Sequence, residues 1–198
     1  GEDASFHALD AATGREKWAS PFPSRGSCRS LPVACGGSVY VSRNVVVKAG
    51  DANRPAEYYR HLVALDASTG EERWRNARDE IDSWATPLII VDKEAHGGRA
   101  QVVTSAMKQI RSYDLETGKL IWYGAGTTMN PIPSPVAADG IVILTAGFRG
   151  NNLKAVRLAD AKDDITNTPA LVWTLDRDTP YVPSPLLYDG ILYLLKSN

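Results

Sequence analysis

The side chains best suited to recognise another molecule stand in short polar segments between apolar runs. Exposed arginine and aromatic side chains are enriched among the residues that contribute most to binding. Arg29 and Trp84 each stand three residues before a proline, and Tyr181 stands four residues before another. Arg149 lies in the segment Gly-Phe-Arg-Gly at 147–150. We interpret these four residues as a candidate surface for a ligand or partner; the alternative is that they only pack loops together.

The sequence carries no recognisable catalytic or metal-binding pattern. The histidines His7, His61 and His96 are far apart, whereas a zinc site needs several His or Cys ligands at close spacing. The stretch 160–167 holds three carboxylates but lacks the alternating order, the glycine and the distal glutamate of a calcium loop, so we expect a solvated loop there. No serine lies in a Gly-x-Ser-x-Gly turn. We therefore predict no catalytic residue and no metal ligand.

Charge and cysteine content exclude other classes of function. The net charge is −1, from 22 basic and 23 acidic residues, and no long run of like charge favours nucleic acid or an anionic membrane. No stretch of about 18 residues is free of charge, so no transmembrane span is expected. Cys28 and Cys35 would lie roughly 20 Å apart if an extended strand separated them, at about 3.3 Å per residue, which favours two free thiols over a disulfide.

A repeated phrase indicates which elements position these residues. ALDAATGREKW at 8–18 returns as ALDASTGEERW at 64–74 and SYDLETGKLIW at 112–122, and a degraded copy ends at Trp173. The three clear copies place a tryptophan eight residues after an aspartate. These pairs are Asp10 and Trp18, Asp66 and Trp74, and Asp114 and Trp122. A repeat with this spacing predicts a repetitive architecture.

Each copy of the phrase reads as a β-hairpin, because short apolar runs flank a turn signal. The aspartate side chain can accept hydrogen bonds from backbone N–H groups just ahead of it. A glycine four residues later can adopt the positive φ that closes the turn. These glycines are Gly14, Gly70 and Gly118.

A second phrase supplies two more strands in each period. It consists of a proline, an apolar run, a glycine turn and another apolar run, and its prolines are Pro32, Pro87, Pro135 and Pro185. Asp139-Gly140 and Asp189-Gly190 are strong signals for two-residue hairpins. Successive repeat tryptophans lie 56, 48 and 51 residues apart. Four strands in such a period are typical of a β-propeller blade, so the prediction is an all-β fold of four-stranded antiparallel blades.

The phrase Ala-x-Asp-x-x-Thr-Gly-x-Glu-x-Trp, complete at 8–18 and 64–74, resembles the tryptophan docking motif of pyrroloquinoline-quinone (PQQ)-like β-propeller repeat proteins. The copy at 112–122 departs from it at its first residue and at Leu120. In that family the tryptophan of one blade packs against the neighbouring blade. The resemblance therefore implies this packing role for Trp18, Trp74, Trp122 and Trp173.

The repeats span nearly the whole chain, so we predict a single, partial PQQ-like propeller domain over 1–198. Three full blades between two half blades give about four blade equivalents. The resemblance implies that they form part of a ring of seven or eight blades; closure into a four-bladed ring is the alternative. Open strand edges invite pairing, so self-association is also expected.

The resemblance implies a function but leaves alternatives open. We expect a non-catalytic binding or scaffold module for protein partners or a small ligand in the bacterial cell envelope, periplasmic or secreted, with no cofactor. One alternative is a fragment of a quinoprotein alcohol or sugar dehydrogenase that holds pyrroloquinoline quinone with calcium. Such enzymes carry an adjacent pair of cysteines, which this sequence lacks. The other alternative is the extracytoplasmic sensor head of a signalling protein.

Overall fold

The structure, a computed structural model, describes residues 5–21, 30–47, 57–80, 83–91 and 100–196. They fall into two compact units, unit 1 within residues 1–78 and unit 2 within residues 79–198. Apart from one short 3-10 turn, all regular elements in the described ranges are β-strands. Arg29 and Cys28 lie outside the described residues, and Cys35 is a free thiol.

Unit 1 contains a hairpin and a four-stranded antiparallel sheet, called the first sheet. The hairpin is β1 (Ser5–Leu9) and β2 (Glu16–Pro21). The first sheet runs in the order β3 (Val33–Cys35), β4 (Ser38–Val47), β5 (Glu57–Asp66) and β6 (Glu72–Ala77). Consecutive strands are neighbours, as expected for a propeller blade.

Unit 2 contains two such sheets and a final hairpin. The second sheet is β7 (Leu88–Ile90), β8 (Gln101–Thr104), β9 (Gln109–Asp114) and β10 (Leu120–Ala125), with the short strand β14 (Asp163–Asp164) added at its edge. The third sheet is β11 (Val136–Ala138), β12 (Ile141–Ala146), β13 (Asn152–Arg157) and β15 (Leu171–Leu175). The hairpin is β16 (Leu186–Tyr188) and β17 (Ile191–Tyr193). The predicted period of four strands is confirmed.

The turns follow the local chemistry of the sequence. In the first repeat, the Asp10 carboxylate accepts hydrogen bonds from the N–H groups of Ala12 and Thr13, at 3.1 and 2.9 Å, and Gly14 has a φ of 70°. In the two-residue turn at Asp139-Gly140, both residues have positive φ, 51° and 72°. That geometry is the mirror-image turn that joins tightly twisted strands.

The repeat tryptophans occupy different environments. Trp18 is buried, donates its ring N–H to the Ala67 carbonyl at 3.0 Å, and covers Gly70, where a Cβ would lie 2.5 Å from the ring. Trp74 packs on Tyr40 within the first sheet.

Two further tryptophans differ even more. Trp122 is fully buried in the core of unit 2 and donates to the Gln101 side chain at 3.1 Å. Trp173, for which the same packing role was expected, is 43% exposed.

The segment 158–170, called the strap, corrects the expectation of a solvated loop. Its carboxylates are exposed, but its strand β14 pairs in parallel with β10, and Ile165 is only 1% exposed. The Ile165 N–H donates to the Tyr123 carbonyl at 2.8 Å. A Cβ on Gly124 would lie 2.9 Å from the Ile165 side chain, so this glycine makes room for it. The strap therefore closes an edge of the second sheet that would otherwise expose unpaired backbone groups.

The main core of unit 2 joins the facing sides of the second and third sheets. Its buried members are Ile90, Val103, Ile110, Trp122, Val142, Leu144, Val156, Leu158, Ala161, Ile165 and Ala170. Aliphatic residues from both sheets and from the strap thus form one continuous hydrophobic core, which supports the loops at the strand ends.

Candidate functional site

Because consecutive strands of the second and third sheets are antiparallel, every second connection between them lies at the same end of the strands. These loops are 79–87, 105–108, 126–135, 147–151 and 176–185, of which 81 and 82 are not described. We call this set the loop end. Three of the four predicted surface residues, Trp84, Arg149 and Tyr181, lie in it.

Arg149 and Tyr181 are brought together through Phe148, a residue that the sequence analysis did not select. The Phe148 and Tyr181 rings stack with centroids 4.8 Å apart and an interplanar angle of 25°. The Arg149 guanidinium carbon lies 5.3 Å from the Phe148 centroid, and the Arg149 side chain is exposed. We call these three residues the stacked triad. Its signal in the sequence was the pair of glycines that encloses Phe148 and Arg149.

Backbone geometry and one buried hydroxyl hold the triad. Gly147 approaches the next loop so closely that a Cβ would lie 2.5 Å from the Thr179 carbonyl oxygen. The Arg149 backbone has a φ of 52°, in the left-handed region that residues other than glycine rarely adopt. The buried Thr179 hydroxyl donates to the Ala146 carbonyl at 2.9 Å, and the Thr179 N–H donates to the Asn151 side chain at 3.1 Å. The triad is therefore ordered in advance of any contact with a partner.

Trp84 is positioned by a different loop. The backbone N–H of Trp84 donates to the Pro131 carbonyl at 2.9 Å, and the Trp84 side chain is half-buried. The loop end thus contains a triad that includes two predicted residues and, separately, Trp84.

The loop end also contains the carboxylate of a buried ion pair, which the sequence analysis did not select. Glu80 is fully buried, and its carboxylate accepts from the Arg111 guanidinium and, at 3.0 Å, from the Lys108 N–H. Arg111 also donates to the Gln109 side chain at 2.6 Å. The carboxylate comes from the segment before β7 and the arginine from β9, so the pair ties that loop to the sheet.

A second buried cation, Lys154, lies on β13. Its ammonium donates to the Gly126 carbonyl at 2.9 Å and to the Asn152 side-chain oxygen at 3.2 Å. Burial lowers the pKa of Lys154, because the charged form loses its hydration. Lys154 also lines a cavity of about 50 Å³ in unit 2.

Within the described ranges, no group of three or more His, Cys, Asp or Glu side chains is placed to hold a metal ion. The described part of the chain contains no helix with the length and apolar character needed to cross a bilayer.

Comparison with known proteins gives relatives that are all much longer than this chain. The serine/threonine-protein kinase AfsK of Streptomyces griseus is 32% identical over 132 residues, covering 49% of this chain and 16% of the kinase. Methanol dehydrogenase [cytochrome c] subunit 1 of Methylobacterium organophilum is 27% identical over 117 residues, covering 54% of this chain and 18% of the enzyme. The chain therefore spans less than a fifth of either relative.

A solved structure and a family model agree on the fold. The crystal structure of BamB from Moraxella catarrhalis superposes with a TM-score of 0.62 at 17% identity, covering 91% of this chain and 49% of BamB. The family model described as outer membrane protein assembly factor BamB matches residues 2–168, which is most of the chain. The chain belongs to this family of PQQ-like β-propeller repeat proteins.

Proposed function

We propose that the chain is a non-catalytic binding module that recognises a protein partner at the loop end of unit 2, in the bacterial cell envelope. The observation that carries the proposal is the stacked triad of Phe148, Arg149 and Tyr181. It combines an exposed guanidinium with two stacked rings at the strand ends of a rigid repeat scaffold.

The triad has the properties of a binding hot spot. Arginine and tyrosine are enriched in hot spots because each offers both apolar area and hydrogen-bond donors. The close approach at Gly147 and the bonds of Thr179 fix the two loops before binding. Less side-chain and loop ordering then opposes association. A partner segment with an acidic side chain beside an apolar or aromatic one would match this surface.

The envelope location and the protein partner are supported by the family. The matching model is described as an outer membrane protein assembly factor, and BamB from Moraxella catarrhalis has the same fold. These observations favour a protein-binding role over a role in small-molecule chemistry. The test therefore uses a library of peptides as the probe.

Selection from a displayed peptide library tests the proposal. We expect wild-type protein to enrich peptides that combine an acidic and an aromatic residue. Arg149→Ala should weaken their binding by about tenfold or more, as for truncation of a hot-spot residue. Arg157→Ala, which removes another exposed arginine, on β13, is the matched control and should leave binding unchanged. Peptides that bind the Arg149 variant as well as wild type would show that the triad is not the site.

Two relatives support second candidates. The similarity to a methanol dehydrogenase subunit favours a dehydrogenase fragment, and the similarity to kinase AfsK favours a sensor head of a signalling protein. Titration with pyrroloquinoline quinone plus calcium, followed by tryptophan fluorescence, separates the first of these from a binding module. Saturable one-to-one binding would favour the dehydrogenase fragment, whereas no binding is expected for the proposed module.

A further inference from the structure

Lys154 carries a buried positive charge that no carboxylate among the described residues balances. The residue is 9% exposed, and its ammonium donates to two neutral acceptors, the Gly126 carbonyl and the Asn152 side chain. None of the ion pairs formed by the described residues includes Lys154. A buried charge is normally paired, because removing it from water is costly.

The repeat provides a comparison at the same register in the other blades. In each blade, one residue pairs across the strands with the repeat tryptophan, and the residue just before it pairs with the residue that follows the tryptophan. That preceding residue is the position compared between blades. The four equivalent residues are His7, Val63, Arg111 and Lys154.

At three of these positions the side chain is either uncharged or matched by a carboxylate. Val63 is apolar, His7 is bonded to Glu16 at 2.6 Å, and Arg111 is bonded to the buried Glu80. Lys154 is the exception: it is a buried cation without a carboxylate partner among the described residues. The comparison therefore singles out Lys154 as the position where an anion could add an ion pair.

The cavity beside Lys154 has room for such an anion. Its other lining residues are Ile110, Gly124, Ala125, Ile165, Thr166 and Leu171. The Thr166 hydroxyl is already engaged, since it donates to Asp164 at 2.6 Å and accepts from the Ala125 N–H at 3.1 Å. With about 50 Å³, the cavity can hold roughly three to five water-sized groups, which is the size of a molecule with four or five non-hydrogen atoms.

We propose that this cavity binds a small aliphatic monocarboxylate of the size of acetate or propionate. The carboxylate accepts a hydrogen bond from the Lys154 ammonium, and the alkyl group lies against Ile165 and Leu171. The ligand then provides a negatively charged hydrogen-bond acceptor for Lys154, as the Glu80 carboxylate does for Arg111. A charge-assisted bond to a largely buried ammonium such as that of Lys154 is stronger than the same bond to an exposed one. The site is separate from the stacked triad and does not depend on the proposed partner binding.

Titration of the whole chain with sodium propionate at constant ionic strength, with chloride as the balancing anion, tests the proposal. Amide chemical shifts in the NMR spectrum of the wild-type protein should change saturably at Lys154, Gly126 and Ile165. Lys154→Met keeps the length of the side chain without its charge and should weaken binding by on the order of tenfold or more. Lys162→Met, which removes an exposed lysine of the strap, is the matched control and should bind as wild type does.

Ligand charge gives a second measurement that does not depend on any variant. Acetate and propionate should bind, whereas propionamide, which has as many non-hydrogen atoms as propionate but no charge, should bind much more weakly. The proposal is overturned if wild-type protein shows no saturable shift changes with propionate, or if the changes map elsewhere. It is also overturned if Lys154→Met binds propionate as well as wild type does, or if propionamide binds wild type as well as propionate does, because the ammonium would then not hold the ligand.

Discussion

The second and third sheets place a cation at the same register position but compensate it differently. Arg111 on β9 reaches the fully buried Glu80, which also accepts the Lys108 N–H. Lys154 on β13 reaches two neutral oxygens and a small cavity. Both cations are largely shielded from water. The difference shows that the repeat fixes where a side chain points, while the partner of its charge comes from outside the repeat motif.

The two arrangements imply different energetics. Removing one partner of a buried ion pair leaves the other charge uncompensated, which is strongly destabilising. Removing a buried charge that has no such partner relieves a desolvation cost while losing its hydrogen bonds. The same substitution should therefore act differently in the two sheets.

The largest effect is expected at Glu80. Glu80→Ala leaves the Arg111 guanidinium buried without its carboxylate and should lower the free energy of unfolding by about 3–5 kcal/mol, measured by urea denaturation. Asp79→Ala removes the exposed partner of Lys108, 2.8 Å away, and should cost no more than about 1 kcal/mol. Equal losses in the two variants would mean that the buried ion pair contributes no more to stability than the exposed one.

The contrast becomes sharper when the same substitution is made at both register positions. Arg111→Met strands the Glu80 carboxylate and should lower the free energy of unfolding by about 3 kcal/mol or more. Lys154→Met should stay within about 1 kcal/mol of wild type, because relief of the unbalanced charge offsets the lost hydrogen bonds. Thermal and urea unfolding measure both. A loss at Lys154 as large as that at Arg111 would contradict the comparison.

The smallest effect is expected for a partly exposed charge in the first sheet, Asp66. The pKa of Asp66 lies well below its usual range, because the Ser68 hydroxyl and then the Arg73 guanidinium hydrogen-bond to its carboxylate. Since the pKa is lower in the folded state than in the unfolded one, Asp66 stabilises the fold above the unfolded pKa of about 4. That contribution is lost as the pH falls through the folded pKa.

Asp66→Asn keeps the shape of the side chain and removes this titration. We expect the variant to melt slightly below wild type at pH 7, and the difference to shrink as the pH falls below about 4. Circular dichroism melts across this range measure it. A difference that is independent of pH would show that the ionised carboxylate contributes nothing to the stability of the turn.

Much of the fold could be predicted because its signals are local. Each strand-opening proline, such as Pro135, directly precedes a strand, and Asp139-Gly140 forms the expected two-residue turn. The packing of Trp18 on the next repeat turn was implied by the family resemblance. The same role stays a prediction for Trp173, which is 43% exposed among the described residues.

The candidate sites were less predictable. Arg149 and Tyr181 were selected by residue type, but Phe148, which joins them, was not. The sequence analysis selected neither Glu80 nor Lys154. Glu80 bonds Arg111, and Lys154 bonds the Gly126 carbonyl, so each has a partner in another element that no spacing within one repeat could show.

The period, the strands and the turns follow from local sequence signals, since alternation, proline, glycine and aspartate act through the backbone within a few residues. The contacts between distant side chains, in contrast, depend on tertiary packing. Four contacts join residues that are far apart in the chain. They are the packing of Ile165 beside Gly124, the stacking of Phe148 on Tyr181, the ion pair of Arg111 with Glu80, and the hydrogen bond of Lys154 to Gly126. Such contacts depend on how the sheets and loops of unit 2 pack, and packing and desolvation are properties of that assembled core.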